Sequence, residues 1–293
     1  MRRIRPLGHT FVRVTFSGLD LDVFGTDGLD QRVKLVLPLP GNRFTDFGID
    51  DEQAHVDGTW YVKWRSFADH DRNPIRTYTV RAVRPEEREV DVDFVCHGDT
   101  GPASAWVSRA KVGDPLVIIG PDSRSPLSPE GIVFDPGAAR KLLFAGDETA
   151  VPAISAMLES LAPGVEAHAV LEVPHPDDIL DLAVGANVSI DWLARGDADF
   201  GSLLIPAVRD WYIGHAETAA RAAELDDIEL DVDAAAVLWD TPTEAPVDEL
   251  YAWIAGESDM IKTVRRYLVR DCGIDRRQVA FMGYWRRGKS EGS

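Results

Sequence analysis

The sequence has few cysteines, no long apolar run and a shortage of positive charge, and each shortage argues against a class of protein. Its 293 residues include two cysteines, Cys96 and Cys272, which are far apart and in no paired spacing. This usage argues against a disulfide scaffold or a zinc site and is typical of a reducing compartment. The basic residues 1–5 are not followed by a signal-peptide core, and no stretch is apolar enough to cross a membrane. We therefore expect a cytoplasmic protein without membrane insertion.

The charge balance is strongly acidic. Lys and Arg total 31 against 49 Asp and Glu, which gives a formal net charge of −18. A protein of this sign repels nucleic acid and anionic lipid, so neither is expected as a partner. Common enzyme motifs are missing too, because the sequence holds no Gly-x-Gly-x-x-Gly, P-loop, Gly-x-Ser-x-Gly elbow or His-x-x-x-His pair. No metal site is predicted.

Short alternating runs punctuated by Gly and Pro occupy the first half of the chain. Alternation predicts strands at residues 12–16, 32–38, 76–81, 90–96 and 116–119. The segment 41–71 is predicted to be a long loop with one strand at 60–64, and a short helix is predicted at 104–110. Repeated short strands favour a small antiparallel β-barrel of six-stranded type, which we assign to residues 1–137.

The pattern changes after residue 137 to alternating strands and helices. Strands are predicted at 141–145, 165–173, 188–193, 234–239, 250–254 and 279–282, and helices at 150–161, near 203, at 217–225 and at 258–269 with Ser258 as N-cap. This order predicts a doubly wound parallel α/β fold, and we assign residues 138–293 to a nucleotide-binding domain. We assign no catalytic or binding role to the acidic stretch 216–245, and the tail from residue 287 is predicted to be disordered.

The strand that begins at Arg76 carries side chains suited to a phosphorylated aromatic ligand. An extended backbone places Arg76 and Tyr78 on one face, and Thr79 adds a hydroxyl beside the ring. A planar cation suits a phosphate, and a phenol ring can cover a conjugated ligand. Taken alone, the strand suits equally well a hairpin with solvated ion pairs.

A second cluster about twenty residues later favours the ligand over the plain hairpin. His97 opens a loop that passes through Gly101 and Ala103 into a helix at Ser104. Small residues let backbone amides approach a pyrophosphate, which the N-terminus of a helix also attracts. The two clusters together therefore predict a nucleotide-like cofactor.

This ordered set of motifs resembles the siderophore-interacting proteins, a flavin-dependent branch of the ferredoxin–NADP reductase superfamily. The matching segments are Arg-x-Tyr-Thr-x-Arg at 76–81, the His-Gly…Gly-Pro-Ala-Ser loop at 97–104, Asp-Glu-Thr at 147–149, Ala-Gly-Glu at 255–257 and Tyr-Trp at 284–285. The resemblance implies FAD on the barrel and NADH or NADPH on the second domain. The implied cofactor contacts are Arg76, Thr77, Tyr78, Thr79, Asp93, Val95, His97, Gly101, Ala103, Ser104, Asp147, Glu148 and Thr149.

The resemblance further implies that Glu148, Thr149, Tyr284 and Trp285 lie near the reacting flavin. Without it, the acidic pair Asp147 and Glu148 suits the N-terminus of a helix, and the aromatic pair suits plain packing.

A ferric siderophore is the substrate that the resemblance implies. Members commonly carry a basic residue at the position of Lys34, which otherwise reads as a solvated strand lysine. Many also carry one after the Gly-Pro that follows the barrel strand, where this chain has Asp122. We assign Lys34, Arg124 and Arg286 as substrate contacts, and the weakly basic set suits a less anionic siderophore.

The implied reaction is reduction of the ferric siderophore by NAD(P)H through FAD. FAD accepts an electron pair and releases electrons singly, and hard oxygen donors hold ferrous iron less tightly than ferric iron. The alternatives are a flavin reductase that serves a ferredoxin or oxygenase partner, and a siderophore carrier without turnover. Ferredoxin is an alternative electron donor. The choice between NADH and NADPH stays open, since Arg195 reads as a 2′-phosphate contact or as a solvated arginine.

Overall fold

The computed structural model describes residues 1–96, 101–215, 238–243 and 249–288. The strands are β1 (Arg3–Pro6), β2 (Phe11–Ser17), β3 (Arg32–Val36), β4 (Ile75–Thr79), β5 (Ala82–Arg84), β6 (Glu89–Val95), β7 (Val117–Ile119), β8 (Lys141–Asp147), β9 (Glu166–Val173), β10 (Val188–Ala194), β11 (Trp239–Asp240), β12 (Leu250–Glu257) and β13 (Val279–Trp285). The α-helices are α1 (Glu52–Val56), α2 (Thr59–Ser66), α3 (Pro102–Val107), α4 (Val151–Ser160), α5 (Leu204–His215) and α6 (Ser258–Arg265). No helix within the described ranges is both long and apolar enough to cross a membrane.

The first half of the chain forms two antiparallel sheets, in the orders β1-β2-β6-β5 and β4-β3-β7. The chain passes from one sheet to the other at residues 80–81, where the Val80 amide donates to the Gln31 carbonyl and the Arg81 amide to that of Asp91, both at 2.9 Å. Alternation in the sequence directs apolar side chains such as Val33 into the space between the sheets. Closure of these strands into a six-stranded barrel stays a prediction.

The predicted strand at residues 60–64 is wrong, because this segment is part of helix α2. Trp60 and Trp64 lie four residues apart and pack on one side, where Trp60 meets Phe47 at 6.2 Å and Trp64 joins the same cluster. A strand would bring Val62 to that side as well, but its side chain is 69% exposed. The density of aromatic residues indicated a strand, whereas the burial has the period of a helix.

The second half forms a mostly parallel sheet of order β10-β9-β8-β12-β13-β11, in which β11 runs antiparallel. Helix α4 packs on one face, and α5 and α6 pack on the other. The strand order reverses between β8 and β12, which are adjacent, so their carboxyl ends at Asp147 and Glu257 flank the point where doubly wound sheets bind ligands.

Other differences from the predictions concern element ends. Strand β1 was not predicted. Helix α6 is capped by Glu257 instead of Ser258, and beyond Arg265 it continues as a π-helical turn at Arg266–Asp271. The predictions for His97, the helix at 217–225, the first part of the strand at 234–239 and the tail beyond 288 lie outside the described residues. The division at residue 137 stays a prediction.

The two halves share an interface of buried groups. The Asp30 carboxylate, which precedes β3, accepts hydrogen bonds from the backbone amides of Val133 and Phe134 and from Trp253 Nε1 of β12 at 3.0 Å. Phe11 of β2 is fully buried in the apolar cluster under the parallel sheet. The N-terminal sheets therefore supply part of the core on which the parallel sheet rests.

Candidate functional site

Strand β4 presents its predicted cofactor residues on two opposite faces. In its register with β3, Arg76 lies opposite Leu35, and Tyr78 lies opposite Val33. This face of the sheet points into the core between the two sheets. Thr77 lies on the other face, where Lys34 Nζ donates a hydrogen bond to its hydroxyl at 2.6 Å. The expected direction of the Lys34 side chain is therefore observed.

Thr79 is not beside the Tyr78 ring as predicted. It pairs with Arg32 and shares the face of Thr77, because neighbouring residues of a strand point to opposite sides. Tyr78 packs instead against Phe94 of β6, with ring centroids 4.6 Å apart. One side of the tyrosine ring is thus used for packing.

Arg76 suits the phosphate role. It is half-buried, and within the described residues its guanidinium makes one hydrogen bond, to the carbonyl of Ile75 at 2.8 Å, and no ion pair. The remaining N–H groups match the planar, bidentate geometry of a phosphate. The residues present therefore fit the phosphate portion of FAD.

The end of β6 and the start of α3 lie together. Ser104 Oγ donates to the Val95 carbonyl at 3.2 Å, so the segment containing Gly101 and Ala103 is fixed against the strand end. The Asp93 carboxylate accepts two hydrogen bonds from Arg13, at 2.6 and 2.8 Å. A contact between Asp93 and FAD stays a prediction.

Asp147, at the carboxyl end of β8, joins the ends of three parallel strands. One carboxylate oxygen accepts hydrogen bonds from the amide and hydroxyl of Thr149, at 2.9 and 2.5 Å. The other accepts from the Glu257 amide of β12 at 2.7 Å and from Trp285 Nε1 of β13 at 2.9 Å. Burial, with the neighbouring charge of Glu148, raises the pKa of Asp147 to about 7.

Glu148 and Arg195 form a buried ion pair across the sheet edge. Arg195 Nη1 and Nη2 donate to the two Glu148 oxygens at 2.6 and 2.7 Å, and the side chains are 5% and 0% exposed. The prediction of a solvated arginine is wrong, and the alternative of a 2′-phosphate contact stays a prediction. Glu172 lies 3.9 Å from the same guanidinium and accepts from the Leu203 and Leu204 amides at the start of α5, at 2.9 and 3.1 Å.

Two aromatic side chains connect these acidic and basic groups in a closed series of contacts. The Arg195 guanidinium lies 4.0 Å above the centroid of Phe200, and Phe200 meets Trp285 edge-on at 4.8 Å. Trp285 returns to Asp147, the neighbour of Glu148. Phe200 and Glu172 were not predicted as site residues, since neither belongs to a motif.

Tyr284 lies where the two halves meet. Its hydroxyl is buried without a hydrogen-bond partner in the described part of the chain, and its ring stacks on Trp239 at 6.2 Å. Trp239 in turn carries the Arg32 guanidinium 4.4 Å above its ring. Because Arg32 pairs with Thr79, it is the face of β4 that carries Thr77 and Thr79 which approaches Tyr284 at this junction.

The other predicted substrate contacts each face a carboxylate. Arg124 is exposed and forms a forked ion pair with Asp122, which lowers the pKa of that carboxyl group to about 2. Arg286 Nη2 lies 3.8 Å from Asp259. These pairs reduce the positive potential that either arginine offers to an anion, and both assignments stay predictions.

The raised pKa of Asp147 predicts a pH-dependent stability. Its folded-state pKa of about 7 exceeds the ordinary value of 3.8, so between these limits the folded protein keeps a proton that the unfolded chain loses. The stabilisation from this group is therefore complete below about pH 4 and falls as the pH rises to about 7. We expect Asp147→Asn to remove this slope, measured as the difference in urea unfolding free energy between variant and wild type from pH 4.5 to 7.5. Parallel curves for the two proteins would contradict the prediction.

Comparison with known proteins identifies the chain. Residues 1–125 match the model of the siderophore-interacting FAD-binding domain, and residues 139–288 match that of the siderophore-interacting protein. The chain belongs to the siderophore-interacting protein family. The resemblance to this family and the expectation of an FAD-binding domain are confirmed.

Relatives with stated activities cover nearly the whole chain. A ferric vibriobactin reductase of Vibrio cholerae is 28% identical over 99% of this chain and 89% of that protein. An NADPH-dependent ferric-chelate reductase of Escherichia coli is 27% identical over 97% of this chain and 90% of that one. The crystal structure of a siderophore utilization protein from T. fusca superposes with a TM-score of 0.69 at 26% identity, covering 99% of this chain and 92% of that one.

Proposed function

We propose that this protein is a cytoplasmic oxidoreductase that passes electrons from NAD(P)H through FAD to a ferric siderophore, from which ferrous iron then leaves. The names of the Vibrio cholerae and Escherichia coli relatives support this reaction class. The observation that carries the proposal is the junction at Tyr284 of β13, whose ring stacks on Trp239. Trp239 carries the guanidinium of Arg32, which lies opposite Thr79 of β4, so the three-stranded sheet meets the parallel sheet there. A donor bound at the sheet edge and an acceptor beside β4 would share that junction.

The side chains have separate roles in this proposal. Arg76 would hold the phosphates of FAD, and the backbone around Gly101 would lie beside them. FAD supplies the conversion of one two-electron step into single-electron steps. Thr149 and the segment at Trp285, both fixed by Asp147, would border the entry of the nicotinamide. Burial of these groups would exclude water from the place of transfer.

The proposed function has a direct spectroscopic test. FAD-loaded protein, mixed without oxygen with NADH or NADPH, is expected to lose its yellow colour, and a ferric siderophore is expected to restore it. A ferrous chelator should trap iron in the same step. Reoxidation by ferredoxin but not by a ferric siderophore would favour the flavin reductase instead. A colourless protein that takes up no flavin would favour a carrier.

Lys34 is proposed as the residue that attracts an anionic ferric siderophore. A protein with net charge −18 repels anions at long range, so association needs a local positive charge. Lys34 lies half-buried on the outer face of the three-stranded sheet, opposite Thr77. We expect Lys34→Glu to raise the KM for an anionic ferric siderophore much more than for a neutral one.

Two controls separate this effect from general damage. Flavin reduction by NAD(P)H should be nearly unchanged, and added salt should partly rescue the variant because the Debye length is about 10 Å at 0.1 M. Lys111→Glu makes the same charge change at an exposed position beyond α3 and should alter neither KM. Equal effects of Lys34→Glu on both siderophores would assign that lysine a structural role.

A further inference from the structure

A serine, a histidine and an aspartate lie together at the outer edge of the parallel sheet. Strand β10 is the edge strand and pairs with β9, so that Ser189 lies opposite His168. Both residues are near the amino ends of their strands, whereas Asp147 lies at the carboxyl end of β8. Ser189 and Asp191 are two residues apart and therefore share a face of β10. These three side chains are separate from the cofactor residues assigned above.

Each ring nitrogen of His168 has one of the other two side chains as its partner. Nδ1 lies 2.7 Å from Ser189 Oγ, and Nε2 lies 3.1 Å from Asp191 Oδ2. An ionised carboxylate only accepts hydrogen bonds, so Asp191 favours the tautomer that carries the proton on Nε2. Nδ1 then has a lone pair that faces the serine hydroxyl, as a general base requires.

The serine proton is directed at the histidine. Ser189 Oγ lies 3.4 Å from the Ala167 carbonyl, which is longer than an ordinary O–H···O hydrogen bond. The contact with His168 at 2.7 Å lies within the ordinary range. The hydroxyl therefore donates to the base and keeps its own lone pairs for attack on a substrate.

Helix α5 covers the ring of His168. Trp211 lies over it with ring centroids 6.3 Å apart and an interplanar angle of 27°, and His215 stacks on Trp211 at 4.5 Å. Burial lowers the pKa of His168, although Asp191 acts in the opposite direction. The imidazole is therefore neutral at pH 7 and able to accept a proton.

These contacts reproduce the sequence of nucleophile, base and carboxylate found in serine hydrolases. The two ring nitrogens have exchanged partners relative to that triad, in which Nε2 faces the serine, but the chemical roles are the same. Ser189 lies on a strand and not in a Gly-x-Ser-x-Gly elbow, so no sequence motif marks it.

We propose that Ser189, His168 and Asp191 form a second catalytic site, which hydrolyses small uncharged esters. Ser189 Oγ attacks the carbonyl carbon while its proton passes to His168 Nδ1. The bond to the alcohol oxygen breaks, and the alcohol leaves with that proton. Water then attacks the acyl-serine, and its proton returns through Nδ1 to Ser189 as the acid leaves. The reaction exchanges no electrons and goes beyond the proposed function.

The surroundings select the class of ester. Ser189 is exposed, so a substrate reaches its hydroxyl from solvent. The Asp191 side chain is 56% exposed, and the net charge of the protein is −18, so an anionic ester is repelled. The half-buried indole of Trp211 offers an apolar surface to a small acyl group.

Two reagents test the proposal on the full-length protein. 4-Nitrophenyl acetate reports turnover through release of 4-nitrophenolate. An alkyl fluorophosphonate marks the nucleophile, because the serine oxygen bonds to phosphorus as fluoride leaves. We expect one phosphonyl group per chain, located on Ser189 by mass spectrometry of peptides.

Variants assign the role of each side chain. Ser189→Ala is expected to abolish labelling at this position. His168→Gln is expected to slow labelling and turnover by about a hundredfold or more, since a positioned base contributes about 10²–10⁴-fold. Asp191 is a positioning residue, so Asp191→Asn should slow both reactions and Asp191→Glu should restore part of the rate, because a carboxylate fixes the required tautomer.

Two matched controls should leave both rates unchanged. His175→Gln removes a histidine that also faces an aspartate, Asp177 at 3.5 Å, and Ser66→Ala removes an exposed hydroxyl that donates to the Lys63 carbonyl. Circular dichroism and urea unfolding report whether each variant is folded.

A wild type that carries no phosphonyl group on Ser189 would overturn the inference. So would a folded His168→Gln variant that is labelled at the wild-type rate. None of these measurements uses the flavin, so either result would leave the proposed function intact.

Discussion

Replacing Glu148 with alanine is expected to lower the free energy of unfolding by about 3–5 kcal/mol, the largest effect on stability that we predict. The reason is that the Arg195 guanidinium stays buried after the carboxylate that binds it is removed. The Arg195 side chain is 5% exposed and loses both hydrogen bonds to a carboxylate. A buried cation that loses its hydrogen-bonded counter-ion costs several kcal/mol, and Glu172, at 3.9 Å, remains as an ion-pair partner without a hydrogen bond. The intact pair is close to neutral relative to apolar groups. Urea unfolding of the variant and the wild type measures the difference.

Two further variants test this cause. Glu148→Leu combined with Arg195→Met removes both charges and should recover much of the stability that Glu148→Ala loses. Asp122→Ala breaks the exposed forked pair with Arg124 and should change stability little, because solvent screens that interaction. A double variant as unstable as Glu148→Ala would show that the pair matters through its shape and not its charge.

Replacing Arg76 with alanine is expected to weaken FAD binding by about one to two decades. A charge-assisted contact to a phosphate is worth roughly 1.5–3 kcal/mol, and each 1.4 kcal/mol is a factor of about ten in affinity. Within the described residues the Arg76 guanidinium makes one hydrogen bond, to a backbone carbonyl, so few other interactions are lost with it. Titration of flavin-free protein with FAD gives the affinity directly.

Arg88→Ala is the control for this prediction. Arg88 is an exposed arginine that pairs with Asp22 at 3.3 Å, away from β4. Its removal changes the net charge equally and should leave FAD affinity as in the wild type. An Arg76→Ala protein with wild-type flavin content and affinity would remove β4 from the phosphate site.

Patterns confined to one element predicted the fold well. Alternation placed Val33 and Leu35 on the buried face and Lys34 on the other, and both placements are observed. The prediction of a strand failed at Trp60 and Trp64, because it relied on the number of aromatic residues and not on their spacing of four. The number of apolar and aromatic residues indicates that a segment packs against the core, whereas the spacing between those residues distinguishes a helix from a strand.

Contacts between distant elements were beyond sequence reasoning. Glu148 and Arg195 are 47 residues apart and meet only because β8, β9 and β10 are adjacent in the sheet. The doubly wound order predicted that strand ends gather at one edge, but not which side chains pair there. Thr79 was placed beside Tyr78 although strand geometry separates neighbours, so this error was avoidable from the sequence.

The burial of Phe11 bears on how the chain matures during synthesis. Phe11 belongs to the apolar cluster beneath the parallel sheet, and Asp30 receives its side-chain hydrogen bond from Trp253. Both leave the ribosome long before β12, since translation proceeds from the N-terminus. The nascent first half therefore carries an uncovered aromatic ring, and an Asp30 carboxylate without its bond from Trp253, until most of the chain has emerged. Final docking of this surface has to wait for β12, so truncated products expose it to aggregation and proteolysis.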